Sequence, residues 1–259
     1  MSYKIAIPSI YRSKTIVNKT LNYLSKTDVD LKKVDVFLSD PEEKKDYEKT
    51  TKKFGVNIIT TGKKHVNTQR NFIVDYYPEG TNIVGIDDDI VAIVEKINDK
   101  STKLLIKLHS FIEEAFRNTK SQGAKIWGIN PVNNPYFLKK NVSNNLKYIV
   151  ACFYGWINSH QQYAYVSTNP EYGKEDFERS IRYYIEDKKV IRFNYLAPDT
   201  KYYSESGGIQ HYRTVEYEEK AVQWLLKTFP LYCKRKTTKG KFPEVRLHDQ
   251  TKNLPKLKI

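Results

Sequence analysis

Cysteine is nearly absent from the chain. Cys152 and Cys233 are the only two in 259 residues, too few for a disulfide framework or a cysteine-built zinc site, and in keeping with a reducing cytosol. No apolar run reaches the roughly 18 residues needed to cross a bilayer. The opening Met1-Ser2-Tyr3-Lys4-Ile5-Ala6-Ile7-Pro8 lacks an apolar h-region and a small-residue cleavage site, so it reads as a strand. A soluble, intracellular protein without membrane insertion is expected. Glycine is missing between Ser9 and Lys14, where a nucleotidyltransferase would carry a Gly-rich phosphate loop after its first strand. Neither an internal repeat nor a low-complexity block is present. Acid is scarce relative to base: 30 Asp and Glu against 44 Lys and Arg leave a formal charge of +14. Coding bias toward Lys accounts for part of such an excess, yet the balance favours a polyanionic partner or a phosphorylated substrate.

What is present is an alternation of strand and helix patterns. Strand-length apolar runs fall at Lys4–Ile10, Val34–Ser39, Val56–Thr61 and Asn82–Ile86. Between them, Ile16, Thr20, Tyr23 and Leu24 make one helical face. Pro41–Phe54 opens with Asp40 as N-cap and Pro41 at the first helical position, and Val66–Tyr77 has helical spacing. This order predicts a parallel, doubly wound α/β half. Further on, the pattern predicts a long helix from about Thr102 to Lys120 and a strand at Lys125–Ile129. One or two strands are expected within Leu146–Ile157, a helix over Lys174–Ile185 and a strand at Val190–Tyr195. A long functional loop at Thr200–Thr214 and a last helix at Val215–Lys227 complete the pass. The expected organisation is a single domain: residues 1–100 as one half, 101–226 as the other, and a basic segment over 227–259.

The sharpest chemical signal is Asn82-Ile83-Val84-Gly85-Ile86-Asp87-Asp88-Asp89. An apolar strand delivers three carboxylates at its C-terminal end, the edge where open α/β sheets bind ligands. Adjacent carboxylates repel one another unless a cation lies between them, which points to Mg²⁺ or Mn²⁺. Such a metal would neutralise a diphosphate leaving group. A solvated acidic turn is the plainer alternative.

The order Ile5-Ala6-Ile7-Pro8-Ser9, then Gln69-Arg70-Asn71, then Ile86-Asp87-Asp88-Asp89 resembles the nucleotide-sugar half of GT-A glycosyltransferases. The second half holds Trp127-Gly128-Ile129-Asn130-Pro131, Gly173-Lys174-Glu175-Asp176-Phe177, Val190-Ile191-Arg192-Phe193-Asn194 and Gly207-Gly208-Ile209. In that order these resemble the TET/JBP-associated glycosyltransferases of phages, giant viruses and kinetoplastids. That group is linked to sugar transfer onto hydroxymethylated pyrimidines in DNA. The likeness covers most of Lys4–Gln210 and leaves the basic C-terminal segment unmatched.

The resemblance implies a GT-A-type, Rossmann-like mixed sheet flanked by helices. It also implies a metal-dependent, inverting transfer of a sugar, glucose by expectation, from a UDP-linked donor to DNA. Carried over, Pro8, Ser9 and Arg12 line the nucleoside pocket, Arg70 approaches the base or diphosphate, and Asp87 and Asp88 contact the donor. Asp89 holds the metal together with Asp87. His211 completes the metal shell or touches the phosphates, with His248 as its competitor.

Glu175-Asp176 is the candidate base element. Acidic residues are favoured in any first helical turn, so a capping role stands beside catalysis; the resemblance implies catalysis, with Asp176 ahead of Glu175. Asn130, Trp156, Gly207 and Gly208 are the candidate acceptor contacts; buried core is the alternative for Trp156, and an ordinary turn for Gly207-Gly208. Lys234, Arg235, Lys236, Lys239 and Lys241 are expected to hold the DNA backbone from a loop of no fixed shape. A glycan, lipid or protein acceptor is the alternative.

Overall fold

Successive residues of the first strand, Lys4–Ser9 (β1), serve two different cores. Ile5 and Ile7 join one apolar cluster while Ala6 joins a second on the opposite face, as the two-residue period of a strand requires. The same division runs through Val34–Leu38 (β2), where Val36 and Leu38 face the first cluster and Phe37 the second. Asn57–Thr60 (β3) lies at the edge, and Asn82–Ile86 (β4) is buried along its whole length. Strands covered on both faces are the mark of a sheet with helices packed on each side.

In this computed structural model, residues 2–169, 171–200, 214–238 and 240–251 are described. The flanking helices are α1 (residues 13–24, with a π-turn over Val17–Leu21), α2 (Lys44–Thr51) and α3 (Val66–Tyr76), followed by α4 (Leu108–Ser121), α5 (Glu175–Asp187) and α6 (Val215–Thr228). Asp40 caps the turn before α2 by accepting from the Glu42 amide, with Pro41 just inside, as the sequence predicts. The remaining strands of the large sheet are β7 (Ile126–Ile129), β8 (Val142–Ser143), β9 (Phe153–Ile157) and β10 (Ile191–Phe193). The eight strands run β3-β2-β1-β4-β9-β7-β10-β8. β1 to β4 are parallel, β9 is antiparallel to both β4 and β7, and β10 is again parallel to β7. The carboxyl ends of β1, β4, β7 and β10 therefore share one edge.

Two expectations are corrected. The helix expected from Thr102 begins only at Leu108, because Ser101–Leu104 (β6) pairs with Ala92–Asn98 (β5), a strand the apolar pattern hid. Leu196–Asp199 (β11) adds to β5 and completes a small second sheet. The basic C-terminal segment is not a shapeless loop either. Cys233–Lys236 (β12) and Glu244–Leu247 (β13) form a hairpin, and Cys233 and Val245 are buried with Ile181 of α5 and Val222 and Leu225 of α6. Where β7 and β9 pair, the Trp127 ring lies across Gly155; a Cβ there would stand 2.3 Å from the indole.

Candidate active site

β2 and β3 are laid on one side of β1 and β4 on the other, so the loops leaving β1 and β4 part in opposite directions. Such a switch in strand order opens the crevice where α/β sheets take ligands. It receives residues 9–12 from β1 and Asp87, Asp88 and Asp89 from β4. Thr20 of α1 fixes the aspartate loop, donating to the Asp87 carbonyl at 2.7 Å and accepting from the Ile90 amide at 3.0 Å.

The three aspartates have different surroundings. Asp88 is 4% exposed and accepts from Ser9 Oγ at 2.5 Å and Arg12 Nη1 at 2.9 Å. It ties the two loops together and does not face the crevice, contrary to its expected donor contact. Pro8 and Ser9 are likewise buried, and Ser9 also meets the Tyr47 hydroxyl at 2.7 Å. The rim on this side is left to Arg12, which reaches Asp89 at 3.3 Å, and to the exposed Tyr11. The Asp87 and Asp89 side chains keep 32% and 21% of their surface.

Arg70, on α3, joins these carboxylates to the other half of the crevice. Its guanidinium is buried, with Nη2 3.0 Å from Asp87 Oδ1 and Nε 3.0 Å from Glu175 Oε1. The Tyr154 ring of β9 lies beneath it, 5.9 Å from the guanidinium carbon, and Arg179 covers the same ring at 4.6 Å. Glycine at position 85 is what admits that ring, since a Cβ there would lie 2.6 Å from it. Burial pushes the Asp87 carboxyl up to about 6; Arg70 opposes the shift, and Asp89 and Glu175 add to it.

Glu175 and Asp176 open α5. Lys174, just before them, has φ 63°, and Tyr11, beside Arg12, has φ 52°. Left-handed backbone at a non-glycine residue costs about 1–3 kcal/mol and collects at functional sites; of the three such residues among the described ones, Tyr11 and Lys174 flank crevice residues, while Lys188 (φ 55°) ends α5. Glu175 is held between Arg70 and Arg179, the latter at 4.0 Å. Asp176 accepts from the Tyr148 hydroxyl and from the Phe177 amide at 2.9 Å. Burial, then the charge of Glu175, pushes its carboxyl up to about 6, in the range where a carboxylate can act as a base near neutrality.

Asp87 and Asp89 fit an open site for a hard divalent cation. They offer carboxylate oxygens, remain partly exposed, and are crowded by like charge, with Asp89 raised by burial and by Asp88. Among the described residues no group of three or more His, Cys, Asp or Glu is arranged to close a metal shell. Diphosphate oxygens and water would complete it. His248 follows β13, its amide bonded to the Tyr232 carbonyl, and belongs to no such group. His211, Gly207, Gly208 and Lys239 lie outside the described residues.

No protein-family model matches the chain, and no curated protein matches it. Solved structures do. The fold is similar to S. aureus TarS 1-349 in complex with UDP-GlcNAc, with a TM-score of 0.57 at 13% identity over 87% of this chain and 67% of that one. It is equally similar to the mannosyltransferase PcManGT from Pyrobaculum calidifontis in complex with GDP-Man and Mn2+, with a TM-score of 0.57 at 11% identity over 85% of this chain and 64% of that one. Against a longer S. aureus TarS structure the TM-score is 0.54 at 12% identity, over 76% of this chain and 36% of that one, so this chain spans about a third of its length. The chain has the GT-A fold.

Within that GT-A fold the expected acceptor contacts scatter. Asn130 stands at the carboxyl end of β7, where its Oδ1 accepts from the Val132 amide at 3.1 Å. Trp156 is a core residue, 4% exposed and stacked on Tyr154 at 5.1 Å, so it is not free to take a base. Of the basic segment, Arg235 is bidentate to Glu219 at 3.0 and 2.5 Å, and Lys236 pairs with Glu244 at 2.5 Å. Lys234 lies on β12, and Lys241 stands 5.4 Å from the Phe242 ring. Sequence reading gave no role to Tyr47, Tyr148 or Arg179; of these only Arg179 carried a local hint, since it stands one helical turn after Glu175.

Proposed function

We propose that this protein is a glycosyltransferase that moves a sugar from a UDP-linked donor to the hydroxyl of a hydroxymethylated pyrimidine in DNA. The observation that carries the donor half is the bridge from Asp87 through Arg70 to Glu175. It sets two carboxylate pairs against each other across the crevice at the strand-order switch. The GT-A fold, shared with proteins solved with UDP-GlcNAc and with GDP-Man and Mn2+, supports the same reading.

In this reading Arg12 and the Asp88 tether order the donor loop, and Tyr11 offers its exposed ring to the nucleobase. Asp87 and Asp89 are the residues that would hold Mn²⁺ or Mg²⁺. That cation, when bound, offsets the charge of the departing diphosphate. Asp176 takes the acceptor proton as the hydroxyl oxygen attacks the anomeric carbon, and Tyr148 holds the carboxylate oriented. Glu175, fixed by two arginines, orients Arg70 and is not the base.

The net charge of +14 supports the DNA acceptor. Neutralisation of Arg235 and Lys236 by Glu219 and Glu244 favours instead a glycan, lipid or protein acceptor. Incubating hydroxymethylcytosine DNA with pooled UDP-sugars and Mn²⁺, then weighing the nucleosides by mass spectrometry, separates the two. A hexose added to hydroxymethylcytosine is expected; unmodified nucleosides with donor consumed on another acceptor would reject DNA.

A further inference from the structure

The chain from Asn130 to Val150 contains no Asp or Glu, yet it carries Lys139, Lys140 and Lys147. The fold adds a fourth cation. β8 pairs antiparallel with β10, which sets Arg192 opposite Ser143. The Lys147 ammonium is lowered by burial and then by the charges of Arg192 and Lys139, so Lys147 lies close enough to feel both cations. Arg192 is itself lowered by burial, with no carboxylate among the described residues acting against the shift. Its Nε donates to Asn194 Oδ1 at 2.8 Å and its Nη1 to the Tyr148 carbonyl at 3.4 Å, both neutral partners. In the C-terminal hairpin, by contrast, Arg235 and Lys236 are answered by glutamates.

This cluster sits in a fixed frame. Asn194 donates to Asn141 Oδ1 at 2.9 Å and to Ser143 Oγ at 3.2 Å, and the Lys139 amide donates to the Asn194 carbonyl at 3.0 Å. Lys147 and Arg192 are partly buried and Lys139 is exposed; among the described residues no ion pair answers these three, and like charges held together in this way are unfavourable until an anion arrives. Phosphate oxygens suit Lys and Arg donors best.

Two residues before Lys139, an aromatic pair faces water. Tyr136 and Phe137 are 72% and 60% exposed and meet edge to face at 5.3 Å. Their backbone is pinned: the Tyr136 amide donates to Asn134 Oδ1 at 3.1 Å, the Phe137 amide to the Asn134 carbonyl at 3.0 Å, and Leu138 is buried. Ordered, exposed aromatics beside lysines make a stacking platform for unpaired bases.

We infer that Lys139, Lys147 and Arg192 form a phosphate site for the acceptor strand, with Tyr136 and Phe137 as the face on which its bases stack. The site rests on the proposed DNA acceptor and moves it from the C-terminal hairpin to the loop leaving β7. That loop starts from the same sheet edge as Asp87 and Asp89. Arg192 touches the Tyr148 carbonyl while the Tyr148 hydroxyl holds Asp176, so a phosphate anchored here lies one residue from the proposed base.

The test is fluorescence anisotropy of a single-stranded oligonucleotide carrying hydroxymethylcytosine, measured across a salt series. Lys139→Gln/Lys147→Gln should weaken binding at least about tenfold. It should also flatten the dependence of log K on log salt by about 1.4, or about 0.7 for each lost phosphate contact on a single strand. Tyr136→Ala/Phe137→Ala should weaken binding about fivefold or more and leave the slope unchanged. An unaltered slope in the lysine variant overturns the phosphate site. Binding of inorganic polyphosphate as tight as that of the oligonucleotide, with no effect of the aromatic variant, overturns nucleic acid as the occupant. Titration of the wild-type protein with UDP and Mn²⁺ tests the donor reading separately; absent UDP binding removes that reading while the salt slope still decides the phosphate site.

Discussion

Arg70 Nε stands 3.0 Å from Glu175 Oε1, and the same guanidinium donates to Asp87. One buried cation thereby couples the end of β4 to the start of α5, residues 88 positions apart in the chain. Removing one partner from a buried ion pair leaves an uncompensated charge and costs about 3–5 kcal/mol. Arg70→Met should therefore lower thermal stability sharply and abolish UDP binding. Arg70→Lys, which keeps the charge but loses the fork, should retain most of the stability and still weaken UDP binding about tenfold or more. Calorimetric melts and UDP titrations check both; equal UDP affinity in Arg70→Lys would remove Arg70 from the donor site.

Asp176 should govern the pH profile. Its carboxyl is pushed up to about 6 by burial and by Glu175, so the reactive carboxylate forms as pH rises through about 6 and turnover should climb with it. Asp176→Asn should cut turnover about 10²–10⁴-fold with donor affinity preserved. The linkage runs the other way for stability. A folded carboxyl raised above its ordinary value favours the fold fully below about 4, and that contribution is lost as pH rises through about 6. Asp176→Asn should thus melt no lower than wild type at pH 7. A marked drop in Tm with normal turnover would make Asp176 a helix cap.

Gly155 should tolerate no side chain. A Cβ would meet the fully buried Trp127 indole at 2.3 Å, and overpacking of this kind costs about 1–3 kcal/mol. Gly155→Ala should lower Tm by several degrees, read by thermal melts. An unchanged Tm would show that the β7–β9 contact can shift at no cost.

The parts of the site carried by local sequence were legible. β4 is an apolar run that stops at three aspartates, and α5 opens on two acids, so both ends of the crevice could be named from neighbouring residues. What could not be read was which carboxylate faces where. Asp88 turns inward to Ser9 and Arg12, whose positions 79 and 76 residues earlier are fixed only by the pairing of β1 with β4. Trp156 failed for the same reason: nothing in its neighbours shows that Tyr154 and the second core will cover it. The helix expected from Thr102 failed because Leu104, Leu105 and Leu108 satisfy helical spacing while Leu105 extends a ladder to Ile93 at 2.9 Å. Arg235 looked available because its partner, Glu219, lies on the preceding helix.

Asp88 and Asp89 should separate cleanly under mutation. Asp88→Asn disturbs a buried pair with Arg12 and should lower stability more than Asp89→Asn does, read by denaturant melts. The reverse order would mean that Asp88, not Asp89, faces the crevice.

The central claim is that Asp87 and Asp89 bind a nucleotide diphosphate through a divalent cation. Calorimetric titration of wild-type protein and Asp89→Asn with UDP, each with and without Mn²⁺, measures it directly. The wild type should bind UDP in a Mn²⁺-dependent manner, and Asp89→Asn should lose that dependence while melting as a folded protein. Unchanged Mn²⁺-dependent affinity in Asp89→Asn, or no UDP binding by the wild type, would contradict it.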